Sequence, residues 1–323
     1  MTVRNIGQPT GLEIAADNLP VLLDFPERIS IEFTNCCNLK CCMCPRHLMK
    51  GKQGYMSFDL YKKIIDEISQ YKPMALVPFF RGESMLHPEF IHMLEYAKKS
   101  GIAPIQIASN ATRLTKDIAE ALVDLEIDFI SFSIDSINPE TYAQIRVNGK
   151  LDQVLKNIEY FCDYRTLKNS QLPEVQVSIV RTKTNQAEID EFVNYWRNRV
   201  DRVRLFEQHT ADGNFGSVGA LKDRYEFPRR LPCHKIFREM NIYWNGQAAL
   251  CCHDWDRTNL IGDLTTQSVK EVWTGSRYRK IRETHLTDFQ DMEELCRNCD
   301  QWKAYYLPQS KGTLGETYFP DEF

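Results

Sequence analysis

Between residues 29 and 207, short β-branched and aromatic runs alternate with amphipathic stretches. That alternation constrains the fold more than any single motif. Strands are predicted at 29–33, 75–80, 104–108, 128–133, 174–180 and 202–206. Helical patterns fill the gaps at 58–70, 88–100, 115–124, 151–164 and 186–198. Ser57 is placed to cap the first of these, and Pro88 and Gly101 bracket the second. Strands with a helix in every gap describe a parallel sheet joined by helical crossovers. Six units do not close the eight-unit barrel, so the expected fold is α/β, a partial (β/α)6 TIM-like barrel. Chemistry in such folds belongs at the C-terminal strand ends and the loops that follow them.

Composition narrows the partners. Of 323 residues, 40 are Lys or Arg and 44 Asp or Glu, a net charge of −4 that gives no pull toward nucleic acid or acidic membranes. No apolar run reaches the roughly 18 residues that a membrane span needs. The first residues carry Arg4, Glu13, Asp17 and Asp24, unlike the apolar core of a signal peptide. The expectation is a cytoplasmic protein with neither nucleic-acid nor membrane partner.

Eleven cysteines are many for a reducing compartment, and their placement is uneven. Five lie within 36–44, five within 233–299, and Cys162 stands alone. Two distant clusters point to metal ligands rather than a disulfide framework. Cys37, Cys41 and Cys44 form C-x3-C-x2-C directly after the first predicted strand. Thiolates so spaced suit zinc, with His47 as a fourth ligand, or an iron–sulfur cluster. A cubane on three thiolates would leave one iron open for chemistry. Cys36 and Cys42 are sequence neighbours of these ligands and are assigned to packing.

The second cluster comprises Cys233, Cys251, Cys296 and Cys299. Twelve residues separate Cys233 from Gly246, four separate Gly246 from Cys251, and Cys296-Arg297-Asn298-Cys299 closes the set. A hairpin at 241–251, turning on Asn245-Gly246, and short helices at 268–273 and 277–284 are predicted between them. Four thiolates enclose a metal completely, and a zinc ribbon and an iron–sulfur cluster both satisfy the spacing.

The first motif, filled by Asn38-Leu39-Lys40 and set after the first strand of a (β/α)6 barrel, resembles the radical S-adenosylmethionine (SAM) superfamily. The resemblance implies that Cys37, Cys41 and Cys44 hold a [4Fe–4S] cluster that binds SAM and cleaves it to a 5′-deoxyadenosyl radical. Arg81-Gly82-Glu83-Ser84 stands where the family has Gly-Gly-Glu-Pro: Gly82 and Glu83 match, while Arg81 and Ser84 depart. By the same resemblance Met43, Gly82, Glu83, Asn110, Ser133 and Arg181 contact SAM, Arg181 through its carboxylate. The second cluster, with Leu260-Ile261-Gly262-Asp263-Leu264 and Val272-Trp273, resembles the SPASM/twitch extensions that bind auxiliary [4Fe–4S] clusters. A full SPASM domain has seven or more cysteines for two clusters. Four fit here, so one fully ligated cluster with an electron-transfer role is implied.

The implied organisation is an N-terminal extension at 1–27, a barrel at 28–209, a linker or lid at 210–232, a hairpin-plus-helix cluster domain at 233–302 and a tail at 303–323. The implied reaction is hydrogen abstraction from a substrate carbon, foremost the two-electron oxidation of an alcohol carbon in a sugar or aminocyclitol-like metabolite. Alternatives are epimerisation, with Cys252 returning the hydrogen, peptide modification, and a non-catalytic iron–sulfur or zinc module. A flavodoxin- or ferredoxin-type donor is the implied electron source.

Overall fold

The computed structural model describes residues 2–5, 11–13, 20–209, 225–227, 229–287, 289–306 and 315–319. Residues 210–224, most of the expected linker or lid, lie outside the described residues, as do parts of the expected N-terminal extension and tail.

Two short strands, β1 (Thr2–Asn5) and β2 (Gly11–Glu13), pair antiparallel at the start of the chain. The main sheet follows as β3 (Arg28–Ile31), β4 (Ala75–Val77), β5 (Gln106–Ser109), β6 (Phe129–Ser133), β7 (Glu174–Arg181) and β8 (Arg202–Glu207). They lie side by side in chain order and all parallel. A single parallel bridge, Leu76 to Ile105, joins β4 to β5. This is the expected barrel order. Strand β9 (Tyr225–Glu226) pairs back onto β1.

The crossovers are α1 (Phe58–Tyr71), α2 (Phe90–Lys99), α3 (Lys116–Asp124), α4 (Pro139–Ile145), α5 (Leu151–Leu167) and α6 (Ile189–Trp196). Ser57 caps α1 as expected, its hydroxyl accepting the Leu60 N–H at 3.3 Å. Helix α4 was not expected. Asn138 caps it, accepting the N–H groups of Glu140 and Thr141, and Pro139 occupies its first turn. Seven residues are too few for a helical period to stand out. Strand β4 stops at Val77 rather than at residue 80, because Pro78 brings no N–H to the ladder. Residues 79–83 are thereby freed to line the top of the sheet. One face of the strands is apolar, with Ile29, Ile31, Leu76, Ile107, Ile130, Phe132, Val177 and Leu205 buried, while the alternate positions carry Ser30, Ser131, Gln176 and Ser178, also buried.

The C-terminal part comprises α7 (Lys235–Arg238), β10 (Glu239–Ile242), β11 (Gln247–Ala249), β12 (Leu260–Asp263), α8 (Val269–Thr274), α9 (Ser276–Thr287), α10 (Glu294–Asn298) and β13 (Gly315–Tyr318). Strand β10 runs parallel to β3, so the hairpin extends the main sheet instead of standing apart. At the other edge β13 pairs antiparallel with β8. The hairpin turn differs from expectation. Tyr243 pairs with Gln247, so Trp244-Asn245-Gly246 form a three-residue loop, with Gly246 at φ +88°.

Candidate functional site

A cavity of about 770 Å³ opens at the C-terminal ends of the parallel strands. The loop after β3 brings Cys37, Cys41 and Cys44 into its wall, and Met43, Gly82, Glu83, Asn110 and Ser133 line it as well. Thr34 and Asn35 fasten the cysteine loop: Thr34 Oγ1 donates to Gly54 O at 2.7 Å, and Asn35 Oδ1 accepts the Gly54 N–H at 2.9 Å.

Glu83 is buried and fully engaged. Its Oε1 accepts from Ser109 Oγ at 2.9 Å and from the Met85 N–H, and its Oε2 accepts the Asn110 N–H at 2.8 Å. Burial raises its proton affinity, and these hydrogen bonds oppose the rise. Glu83 therefore sets the loop after β5, which turns Asn110 Nδ2 toward Asn38 Oδ1 at 3.2 Å and Cys37 Sγ at 3.8 Å.

Arg146 belongs to the site and was not anticipated. It follows α4, lines the cavity, pairs with buried Asp135 at 2.5 Å and directs Nη1 to Cys41 Sγ at 3.6 Å. The partner thiol is 105 residues away in sequence, so no local pattern could have announced it. Arg181 is not among the cavity's lining residues; its Nε meets Glu207 Oε1 at 3.1 Å. His47 lies in the wall with Nδ1 3.3 Å from Cys44 O.

The thiols are desolvated. Burial pushes Cys41 up to about 11 against the pull of Arg146, and raises Cys37 too. Buried thiols of this kind ionise only when a metal supplies the compensating charge. The donor set thus fits a bound iron–sulfur group.

The second cysteine set also converges. Cys233 raises the proton affinity of Cys296 and Cys299, Cys299 raises that of Cys296, and Cys296 and Cys299 raise that of Cys251, with burial the larger cause in every case. The His253 N–H points to Cys251 Sγ and the Gln301 N–H to Cys299 Sγ, each at 3.3 Å, as donors to cluster thiolates do. Cys252 turns elsewhere: Lys235 Nζ lies 3.3 Å from its Sγ, and Cys252 is not among the residues lining the cavity.

A parallel six-strand sheet bearing three cysteines at its C-terminal mouth defines a class of cluster-dependent enzymes. The Radical SAM superfamily model matches residues 31–195, just over half of the chain, and the SPASM model, an iron–sulfur cluster-binding domain, matches 233–300. The chain belongs to the radical SAM superfamily, whose cofactors are SAM and a [4Fe–4S] cluster, and its SPASM domain binds auxiliary iron–sulfur chemistry. The cluster reading thereby replaces the zinc alternatives. A curated relative, the tungsten-containing aldehyde ferredoxin oxidoreductase cofactor-modifying protein of Pyrococcus furiosus, is 25% identical over 296 residues, 78% of this chain and 82% of that one. Among solved structures, Streptococcus suis SuiB bound to the precursor peptide SuiA matches with TM-score 0.68 at 14% identity, covering 93% of this chain and 76% of that one. BtrN in complex with AdoMet and 2-DOIA matches with TM-score 0.58 at 16% identity, covering 90% and 99%. These two likenesses concern the fold. No helix of the described residues is long and apolar enough to cross a membrane.

Proposed function

We propose that this chain is a radical SAM oxidoreductase that removes two electrons and two hydrogens from an alcohol carbon of a small sugar- or aminocyclitol-like metabolite. Cys37, Cys41 and Cys44 hold the SAM-binding cluster, and Met43, Gly82, Glu83, Asn110 and Ser133 form the SAM cavity around it. Bound there, SAM and the cluster supply the 5′-deoxyadenosyl radical that takes the hydrogen atom. Cys233, Cys251, Cys296 and Cys299 would hold one closed auxiliary cluster that accepts the second electron from the substrate radical as the hydroxyl proton leaves to solvent, and a flavodoxin- or ferredoxin-type protein supplies the separate electron that cleaves SAM. The loop just past Cys251 reaches the cavity wall, where Asp254 O accepts from Arg81 at 2.8 Å, so the two sites are close in the fold.

The placement of Cys252 carries the choice of oxidation over epimerisation. An epimerase must return a hydrogen atom to the substrate radical, and a thiol is a good donor. Cys252 is instead held against Lys235 in a half-buried group with Glu239 and Tyr305. Oxidation needs no such donor. Arg181, engaged with Glu207, is retained as a residue of the substrate side of the barrel mouth.

The test is direct. Anaerobically reconstituted protein is expected to hold about eight iron and eight sulfide per chain, the sum of two cubanes. About four iron with stoichiometric zinc would replace the auxiliary cluster by a zinc ribbon. Reduced with dithionite, the enzyme should give 5′-deoxyadenosine and, with an accepted polyol, a product two hydrogen atoms lighter. Cys252→Ala should leave that product unchanged. A product that is not two hydrogens lighter but carries one solvent deuterium when formed in heavy water, and that is lost in Cys252→Ala, would overturn the oxidation reading. A second reading, modification of a partner enzyme's cofactor, follows from the long match to the Pyrococcus protein. It predicts that no small polyol stimulates deoxyadenosine formation.

A further inference from the structure

Arg81 stands where the family motif has glycine, and it is 5% exposed. A buried guanidinium is ordinarily paired with a carboxylate. Here Nη2 donates to Asp254 O at 2.8 Å, while Nε and Nη1 have no hydrogen-bond partner. Three rings enclose the group: Phe80 at 4.1 Å, Tyr243 at 4.7 Å and Trp255 at 4.8 Å. They hold the cation by its faces and leave its edges unsatisfied.

The surroundings repeat the pattern. Trp244 Nε1, Trp255 Nε1 and Glu32 Oε1 are buried without partners. The Trp244 main-chain N–H donates to Glu32 Oε2 at 3.2 Å, which leaves Oε1 as the open oxygen of that carboxyl. Arg81, Arg257 and Arg46 all act electrostatically on Glu32, and the buried Asp254 carboxyl is engaged by Tyr243 Oη at 3.3 Å. Among the buried groups left without partners here, donors outnumber acceptors. Arg81 lines the same cavity as Cys37, Cys41 and Cys44.

We propose that Arg81, held in its aromatic cage beside the unpartnered Trp255 indole N–H, anchors an anionic oxygen group, carboxylate or phosphate, of the substrate at the hairpin side of the cavity. Glu32 Oε1 is the acceptor for a neighbouring hydroxyl. Within the small-metabolite class proposed above, the substrate is then one that carries a carboxylate or phosphate. This inference rests on the small-metabolite reading above. The experiment below reads binding without turnover, so the oxidation can fail while the anchor stands.

Holoenzyme carrying both clusters, without SAM, is melted in inorganic phosphate, in acetate and in chloride at matched ionic strength. Phosphate or acetate is expected to raise the wild-type Tm by at least about 2 °C over chloride, the more effective anion naming the group. Arg81→Gln should lose that shift, Arg81→Lys should keep part of it, and the SAM dissociation constant should stay within about twofold in both. Trp255→Phe, which deletes one donor and keeps the cage, should weaken the shift and decides the matter should Arg81→Gln not fold. Equal shifts in wild type and variants, or no shift with either anion, overturn the proposal. A tenfold loss of SAM affinity in Arg81→Gln overturns it too, by assigning Arg81 to the SAM carboxylate.

Discussion

At Gly82 the backbone leaves no room for a side chain. A Cβ there would lie 2.1 Å from Thr34 O and 2.5 Å from Cys36 O, both main-chain atoms that cannot swing aside. The next residue ties the same loop, the Glu83 N–H donating to Cys36 O at 2.8 Å. Gly82→Ala should therefore displace the segment before Cys37 and empty the first cluster site alone, lowering iron content by about half of the two-cubane value; unchanged iron would show that the loop yields. Glu32 offers a prediction in pH. Burial pushes its carboxyl from 4.5 up to about 7 despite the attraction of Arg81. A carboxyl that holds its proton more tightly in the folded chain weakens the fold as pH rises. The cost is absent below about 4.5 and complete above about 7, on the order of 3 kcal/mol. Melting from pH 5 to pH 8 should show Glu32→Gln gaining on the wild type with each step, and parallel profiles would contradict this. The cysteines and Gly82-Glu83 were legible because their spacing is local. The Arg81 cage was not, since its partner Asp254 lies 173 residues away.

Among the elements, α1 clamps the C-terminal part to the barrel through two residues one turn apart. Lys63 Nζ donates to the carbonyls of Leu264, Gln267 and Thr265 at 2.7, 3.1 and 3.3 Å. Glu67 accepts the N–H groups of Val269 and Lys270 at 2.7 and 2.9 Å, so a carboxylate from another element sits on the N-terminus of α8. Ser268 and Glu271 complete a capping box on the same turn. Glu67→Ala is expected to cost about 1–2 kcal/mol and to speed amide exchange within 264–274 before anywhere else. Uniform exchange across the chain would mean that the helix holds without the clamp. The short helix at 268–273 and the strand–helix alternation were visible in sequence as local patterns. The pairing of β10 with β3 was not, because strand partners more than two hundred residues apart leave no periodic trace.

For the whole molecule, that pairing decides how many units fold. Strand β10 matches β3 from Glu239–Arg28 to Ile242–Ile31, and the ladder continues through Glu27 N–H to Arg238 O and Glu32 N–H to Ile242 O. The contiguous core runs from Ile29 and Ile31 through Met240 and Ile242 to Trp273 and Ile281. Trp273 is fully buried, its indole N–H donating to Leu23 O at 2.8 Å, and Arg282 lies over its ring at 4.0 Å. The barrel's first strand is thus an interior strand only while the cluster-binding part is present. A chain cut after residue 232 would bare the β3 backbone along a four-residue ladder and expose the apolar face that Met240, Ile242 and Trp273 cover. The fragment should aggregate or lack a cooperative melt. The full holoenzyme should unfold in one transition, with far-UV circular dichroism and visible cluster absorbance falling together. Two separated transitions, or a cooperatively melting fragment that binds about four iron and cleaves SAM, would show instead that the barrel folds alone. The same dependence bears on catalysis, because Tyr243 and Trp255 from the C-terminal part form two walls of the Arg81 cage at the cavity. Residues from both matched regions therefore enclose Arg81, which lines the cavity.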